Sequence, residues 1–204
     1  MAAARGRPRA FDRDAALERA MHVFWERGYE ATTMAELTEA MGIRPPSLYA
    51  AFGSKEGLFR EAVELYERTD GTVSRDALAG APTAREGVRD ALRGNVIRYT
   101  APDRPRGCMI VHAATNCAPE NEGVRALLAE DRRATERMFR ERVDRGIAEG
   151  DVPPGTGSGT LGAFYATVLF GLSMQAKDGV PRSELLAVVD AAVAAWDTLT
   201  APGS

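Results

Sequence analysis

The segment TMAELTEAMGIRPPSLYAAFGSKEGLF, residues 33–59, contains two consecutive prolines inside a stretch that otherwise has helical character. The first four amides of a helix have no intrahelical acceptor, so proline in the first turn loses no hydrogen bond and supplies a suitable φ. Pro45 and Pro46 therefore begin a helix. Leu48 and Phe52, spaced i and i+4, lie on one face of it. The segment predicts a short helix with one apolar face.

Two further helices are predicted ahead of this one. Thr33 and Glu36 have the spacing of a capping box, which indicates that a helix begins at Thr33, and Gly42 ends it. A longer first helix is predicted over residues 12–27. Two short helices joined by a tight glycine-containing turn form a helix-turn-helix, whose second helix enters the major groove of DNA.

The rest of the chain also shows helical periodicity, and no stretch alternates as a strand does. Helical periodicity is continuous over residues 54–78, and the clearest loop is GDVPPGTGSG at 150–159. We therefore predict an all-α protein of about nine helices.

The composition and motifs of the chain exclude several classes of protein. The chain has 204 residues, of which 45% are hydrophobic and 27% charged, and its two cysteines are too few for a disulfide framework. No apolar run approaches the roughly 20 residues of a membrane span, so we expect a cytoplasmic protein without a membrane partner. Glycine-rich phosphate loops, zinc-hydrolase pairs and nucleophile elbows are absent from the sequence. We accordingly expect no catalytic residues, no cofactor and no enzymatic activity.

Charge is unevenly distributed. Residues 1–60 contain nine Lys/Arg and eight Asp/Glu, a net charge of +1, whereas residues 61–204 contain 17 and 21, a net charge of -4. An acidic body argues against a non-specific architectural DNA-binding protein, because it would repel the duplex. The basic residues Arg5, Arg7 and Arg9 form an arm that is either a solvated terminus or a DNA contact.

The segment ERAMHVFWERGYEATTMAELTEAMGIRPPSLYAAFGSKEGLF, residues 18–59, resembles the DNA-binding head of the TetR/AcrR family of bacterial transcriptional regulators. It has the helix, the glycine-aromatic turn, the threonine-capped second helix, the LY-containing recognition helix and the SK-E-L start of the fourth helix, in that order. The resemblance implies a basic arm at 1–11, a three-helix head at 12–55 and a helical effector-binding and dimerisation domain at 56–204. It also implies a homodimeric repressor that a small-molecule effector releases from an inverted-repeat double-stranded DNA operator.

The family pattern assigns DNA contacts residue by residue. It implies phosphate contacts from Thr33, Tyr49 and Lys55, although Tyr49 is also compatible with packing. It places nearest the base edges Arg44, Pro45, Pro46, Ser47 and Ala50. Many members have polar residues where this chain has the two prolines, so Arg44 and Ser47 are the better candidates for direct readout. The arm would reach the minor groove or the phosphates.

Most family members dimerise through their last two helices. Residues 161–176 and 184–196 of this chain are apolar on more than one side, which indicates packing partners on two sides. A second copy of the chain would supply one of them. The predicted dimer interface consists of Phe164, Leu185, Val189, Ala192, Val193 and Trp196.

The candidate effector site lies in the C-terminal domain. A mostly apolar small molecule is suggested by a set of candidate lining residues that are equally compatible with ordinary core: Tyr99, Met109, His112, Asn116, Met138, Phe164 and Met174. Cys108 and His112, spaced i and i+4, offer the alternative of a redox- or metal-responsive regulator. Cys117 lies about 180° from Cys108 on a continuous helix, so no three-ligand metal site is predicted. Small buried cysteines with a hydrogen-bonded histidine remain the structural alternative.

Overall fold

The computed structural model describes residues 11–115 and 117–201, and this part of the chain contains helices, turns and loops but no strand. Nine of the helices have eight residues or more, so the predicted all-α fold is confirmed. The helices are α1 (Arg13–Arg27), α2 (Met34–Met41), α3 (Pro45–Phe52), α4 (Lys55–Arg68), α5 (Val73–Gly80), α6 (Ala84–Tyr99), α7 (Met109–His112), α8 (Glu122–Glu149), α9 (Ser158–Lys177), α10 (Arg182–Ala194) and α11 (Trp196–Leu199). In this same part of the chain, no helix is long and apolar enough to cross a bilayer.

The helix-turn-helix has the predicted local structure. The Thr33 hydroxyl accepts a hydrogen bond from the backbone N–H of Glu36, whose carboxylate accepts one from the N–H of Thr33, so both halves of the capping box form. Gly42 ends α2 in the left-handed region at φ 68°. Pro45 and Pro46 occupy the first turn of α3, where no backbone amide is needed.

Two hydrophobic cores meet near Cys108. The head core joins α1–α4 with α7 and the first turns of α8, and Phe24, Trp25 and Phe59 are among its largest buried side chains. It therefore continues past residue 55 into α4. The second core lies among α5, α6, α8, α9 and α10, and Cys108 packs against both.

One predicted helix is two helices. Where periodicity predicts continuous helix over 54–78, α4 ends at Arg68 and a 3₁₀ turn precedes α5. The turn places the carboxylate of Asp70, which is 7% exposed, against Arg104 and at 2.5 Å from Arg98. A buried carboxylate requires such partners, and both arginines lie in distant parts of the sequence. The turn between α4 and α5 therefore places Asp70 where it links the end of α4 to Arg98 near the end of α6.

Candidate DNA-binding surface and effector cavity

The exposed face of α3 is the first candidate functional surface. Leu48 and Phe52 are buried in the head core and fix the rotation of this short helix. The opposite face exposes Tyr49, which is 50% accessible, and the residues nearest the helix start are exposed or half-buried: Arg44, Pro45, Pro46, Ser47 and Ala50. Arg44 caps α3 with its backbone only, because its side chain makes no capping hydrogen bond. Its guanidinium therefore remains free to contact a ligand at this surface.

Two helix N-termini flank that face. Thr33 is exposed at the start of α2. Lys55 is the first residue of α4, and the preceding Ser54 caps this helix by accepting a hydrogen bond from the Gly57 amide. The ammonium of Lys55 lies 4.3 Å from the centroid of the Tyr29 ring. Partial burial lowers the pKa of Lys55. Tyr29 thus positions a cation at the positive end of a helix, an arrangement suited to binding a phosphate.

Sequence reasoning did not assign this role to Tyr29. The signal was present, since Tyr29 is the aromatic residue of the glycine-aromatic turn, but nothing in the sequence pairs it with Lys55. Arg5, Arg7 and Arg9 lie outside the described residues, so the arm stays a sequence prediction.

A cavity of about 150 Å³ lies between the head and the second core. Its apolar wall includes Ile110, Val111, Met138, Leu169 and Phe170. Polar groups concentrate on the remaining wall, which α4, α5, α6 and α8 supply together with the residue before α7: Tyr66, Glu67, Ser74, Arg75, Asn95, Tyr99, Cys108, Asp131 and Thr135. The cavity is therefore lined by helices that are far apart in sequence.

The hydroxyl of Tyr66 donates a hydrogen bond to the sulfur of Cys108 at 3.3 Å. Burial raises the pKa of Tyr66 and Tyr99 well above the usual tyrosine value, and burial also raises the pKa of the Cys108 thiol. All three groups are therefore uncharged at neutral pH and present a weakly polar surface to the cavity.

Asp131 differs from these three uncharged groups, because it is an acid without a hydrogen-bond partner for its buried oxygen within the described part of the chain. Burial, followed by the nearby negative charge of Glu67, raises the pKa of Asp131 to about 6. Its buried oxygen Oδ2 has no hydrogen-bond partner among the described residues. A carboxylate oxygen in this situation accepts a hydrogen bond from any donor that enters.

The predicted effector residues are only partly brought together. Tyr99 and Met138 line the cavity. Met109 is fully buried in the head core, whereas Phe164 and Met174 are exposed on α9 at 36% and 43%. None of these three residues lines the cavity: Met109 points into the head core, and the other two point toward the outer surface of α9. Asn116 lies outside the described residues.

Cys108 and His112 do not form a joint site. The His112 ring nitrogen Nε2 lies 2.9 Å from the Ser173 hydroxyl, which also accepts a hydrogen bond from the Cys108 amide. The Cys108 sulfur faces Tyr66 instead. Among the described residues, no group of three His, Cys, Asp or Glu side chains could hold a metal ion. The geometry thus gives each side chain a structural partner.

The segment around α7 connects the cavity to the head. The indole N–H of Trp25 donates to the carbonyl of Gly107 at 3.1 Å, and the amide of Tyr29 donates to the carbonyl of Ala113 at 2.7 Å. Between these two anchors lie Ile110 and Val111 of the cavity wall. Two hydrogen bonds therefore tie this segment to the C-terminal end of α1 and the turn that follows it.

The last two long helices carry an exposed apolar face, but it differs from the predicted one. Leu185 and Val189 are fully buried and Trp196 is 4% exposed, because they pack inside the chain's own second core. Ala192 is also buried and Val193 is half-buried. Of the predicted interface residues, Phe164 alone is exposed. The exposed large apolar side chains of this face are Phe164, Met174 and Val188.

Sequence comparisons agree with this architecture. The family model for the N-terminal domain of bacterial regulatory proteins of the tetR family matches residues 16–62, and that for the tetracyclin repressor-like C-terminal domain matches residues 88–191. The HTH-type transcriptional repressor ComR of Escherichia coli K12 is 32% identical over 96% of this chain and 93% of its own. The repressor BdcR of the same organism is 30% identical over 95% and 93%.

Solved structures show the same relationship. A cysteine-substituted form of the TetR family transcriptional regulator CifR, in a complex with 26-base-pair double-stranded operator DNA, is 61% identical, covers 93% of this chain and 100% of its own, and has a TM-score of 0.91. A TetR regulator from Rhodococcus sp. RHA1 is 40% identical over 90% and 97%, with a TM-score of 0.59. The chain therefore belongs to the TetR family of DNA-binding transcriptional regulators.

Proposed function

We propose that this protein is a homodimeric repressor that binds an inverted-repeat operator through α3 and leaves it when a small molecule occupies the cavity. The observation that carries the proposal is the exposed start of α3, with Arg44 free at its tip and Leu48 and Phe52 anchored in the core. The operator complex of CifR supports it, as does the similarity to ComR and BdcR, which are transcriptional repressors.

Each half of the dimer would read one half-site. Arg44 would bind a guanine bidentately, with Ser47 beside it, because the prolines offer no hydrogen-bond donor. Thr33, Tyr49 and Lys55 would hold the phosphate backbone and set the register of α3 without reading sequence. Base recognition would therefore be narrow, and affinity would depend strongly on salt.

The dimer interface we propose is the exposed apolar face of α9 and α10. Phe164, Met174 and Val188 on these helices are between 36% and 43% exposed, and Ile97 of α6 is 51% exposed. Most other large apolar side chains are buried. A second copy packed on α9 and α10 would cover that face in a four-helix arrangement. It would place the two recognition helices about 34 Å apart, one turn of B-DNA.

The cavity indicates the kind of effector. Its volume of about 150 Å³ is similar to that of an engineered cavity of about 150 Å³ that holds benzene, so the effector would be small. Most of the lining is apolar or uncharged, and the free oxygen of Asp131 would accept one hydrogen bond. A compact, largely apolar molecule with one donor group fits these conditions.

Release would proceed through the segment around α7. A molecule in the cavity presses on Ile110 and Val111, and the hydrogen bonds of Gly107 and Ala113 carry the displacement to Trp25 and Tyr29 of the head. Moving the two heads apart or rotating them would misalign α3 with the grooves. The effector acts only to the extent that it binds the displaced state more tightly.

The proposal is tested by fluorescence anisotropy with DNA from upstream of the protein's own gene and random-sequence DNA at about 0.15 M salt. We expect nanomolar binding of the upstream fragment alone, and release by a small apolar donor in a screen of such compounds. Equal weak binding of both DNAs by ligand-free protein would contradict the assignment of α3 as a sequence reader.

A further inference from the structure

A second depression lies on the outer side of the second core, between α5 and α8. This groove of about 290 Å³ is lined by three arginines, Arg75, Arg142 and Arg145, and by one carboxylate, Glu141, together with Leu78, Ala79 and Met138. It is separate from the exposed face of α3. The family function described above gives none of these three arginines a role.

Arg142 is the unusual member of the groove. Its side chain is 1% exposed, and two of its guanidinium nitrogens, Nε and Nη1, have no hydrogen-bond partner among the described residues. The carboxylate of Glu149 lies 3.8 Å from Nη1, an ion pair beyond hydrogen-bond distance, and Asp151 adds a second nearby negative charge. Buried charges are ordinarily paired and hydrogen-bonded, because an unpaired one is costly.

Contacts with the backbone explain only part of this arrangement. Arg145 donates from Nη2 to the carbonyl of Leu78 at 3.0 Å, and Arg142 donates from Nη2 to the carbonyl of Ala81 at 3.4 Å. Both contacts place a cation at the C-terminal end of α5, which its dipole favours. They leave Nε of Arg145 and two nitrogens of Arg142 without hydrogen-bond partners, and the only ion-pair contact of these nitrogens among the described residues is with Glu149 at 3.8 Å.

In the lining of the groove itself, three arginines face one carboxylate, that of Glu141, while Glu149 and Asp151 lie close to Arg142. Burial, followed by the neighbouring positive charge of Arg145, lowers the pKa of Arg142. Arg75 is exposed on α5 and makes no ion pair or hydrogen bond within the described part of the chain. Three guanidinium groups thus line one depression, and planar guanidinium groups bind oxyanions in a bidentate manner.

We propose that the groove between α5 and α8 is an oxyanion site, which binds the carboxylate or phosphate group of a small metabolite through Arg75, Arg142 and Arg145. Because the unbonded nitrogens of Arg142 and Arg145 are buried, the anion becomes their acceptor when these side chains turn toward the groove. Arg75 and Met138 also line the effector cavity, so an occupant of the groove contacts two residues of the cavity wall. The site does not depend on the proposed release mechanism.

The test is calorimetric titration of the full-length protein, without DNA, with inorganic phosphate and with acetate, at an ionic strength held constant with chloride. We expect saturable binding of at least one anion, and preference for phosphate or acetate identifies the group that the site accepts. Arg142→Gln and Arg75→Gln should each weaken binding at least about tenfold, since each removes a charge-assisted hydrogen bond.

Arg140→Gln is the matched control, because Arg140 is an exposed arginine of α8 outside the groove, and it should leave binding unchanged. Lys55→Ala separates phosphate binding by the head from binding in the groove. Because Arg142 is buried, its variant is checked by circular dichroism, and the exposed Arg75→Gln decides the question if Arg142→Gln does not fold. Binding no stronger than that of chloride, or binding that Arg75→Gln leaves intact, overturns the proposal. Anion binding is measured without operator or effector, so its failure leaves the proposed repressor function untouched.

Discussion

Replacing Asp131 by asparagine should stabilise the protein at neutral pH. Asp131 lies in the cavity wall, and its pKa is raised from 3.8 to about 6 by burial, then by Glu67, with a further contribution from Glu130 and an opposing one from Arg132. The folded chain therefore holds this proton more tightly than the unfolded chain does. The contribution of the group to stability is greatest below the unfolded-state pKa and is lost as the pH rises through about 6.

The size of the effect follows from that difference. At 1.36 kcal/mol per pH unit, the change from 3.8 to about 6 corresponds to at most about 3 kcal/mol. The carboxylate is partly open to solvent, and screening reduces this to about 1 to 2 kcal/mol. Asparagine cannot ionise, so Asp131→Asn should raise the free energy of unfolding by that amount at about pH 8 and by roughly half as much at about pH 5.

Urea unfolding of both proteins at these two pH values, at one protein concentration, measures the difference. Asp144→Asn is the control, because Asp144 is exposed on the same helix and its replacement should be nearly neutral at both pH values. A stability difference for Asp131→Asn that does not change with pH, or a loss of stability at about pH 8, would refute the reasoning.

Four other variants test the proposed DNA contacts, the dimer interface and the release path. Arg44→Ala should cost about 1 to 3 kcal/mol on the operator and flatten sequence preference in anisotropy titrations, whereas equal loss on random DNA would refute base readout. Lys55→Ala should weaken all DNAs alike and reduce the salt slope by about one; an unchanged slope removes Lys55 from the phosphate contacts. Phe164→Glu should give monomers in sedimentation, and a persistent dimer would relocate the interface. Trp25→Phe keeps the aromatic packing but leaves the Gly107 carbonyl without its donor, so the operator should still bind while effector-induced release weakens; unimpaired release would exclude this link.

Local sequence patterns predicted where the helices of the DNA-binding head begin and end. The capping box of Thr33 and Glu36, the ending of α2 at Gly42 and the proline start of α3 all depend on residues within four positions of one another, so they could be read from the sequence and are confirmed. The apolar spacing of Leu48 and Phe52 likewise predicted which face of α3 is buried. Short-range hydrogen bonding and steric preference determine such features.

The cavity could not be read in the same way. Its polar wall combines Tyr66, Asn95, Cys108 and Asp131, which come from four separate segments, and no sequence spacing brings them together. Helical periodicity identifies apolar side chains but does not distinguish a residue that faces a void from one that faces the core. Met109 and Met138 were equivalent candidates, and packing alone separated them.

The sequence by itself determined that the chain is all-helical, that a helix-turn-helix begins it and which residues α3 can offer to DNA, because these properties depend on local chemistry. The tertiary structure alone decided that Leu185 and Trp196 belong to the core of one chain while Phe164 faces outward, that Arg142 is buried beside two other arginines, and that Trp25 donates a hydrogen bond to Gly107 ahead of α7. Each of these depends on how distant helices pack, and packing energy is shared among side chains that only the fold makes neighbours.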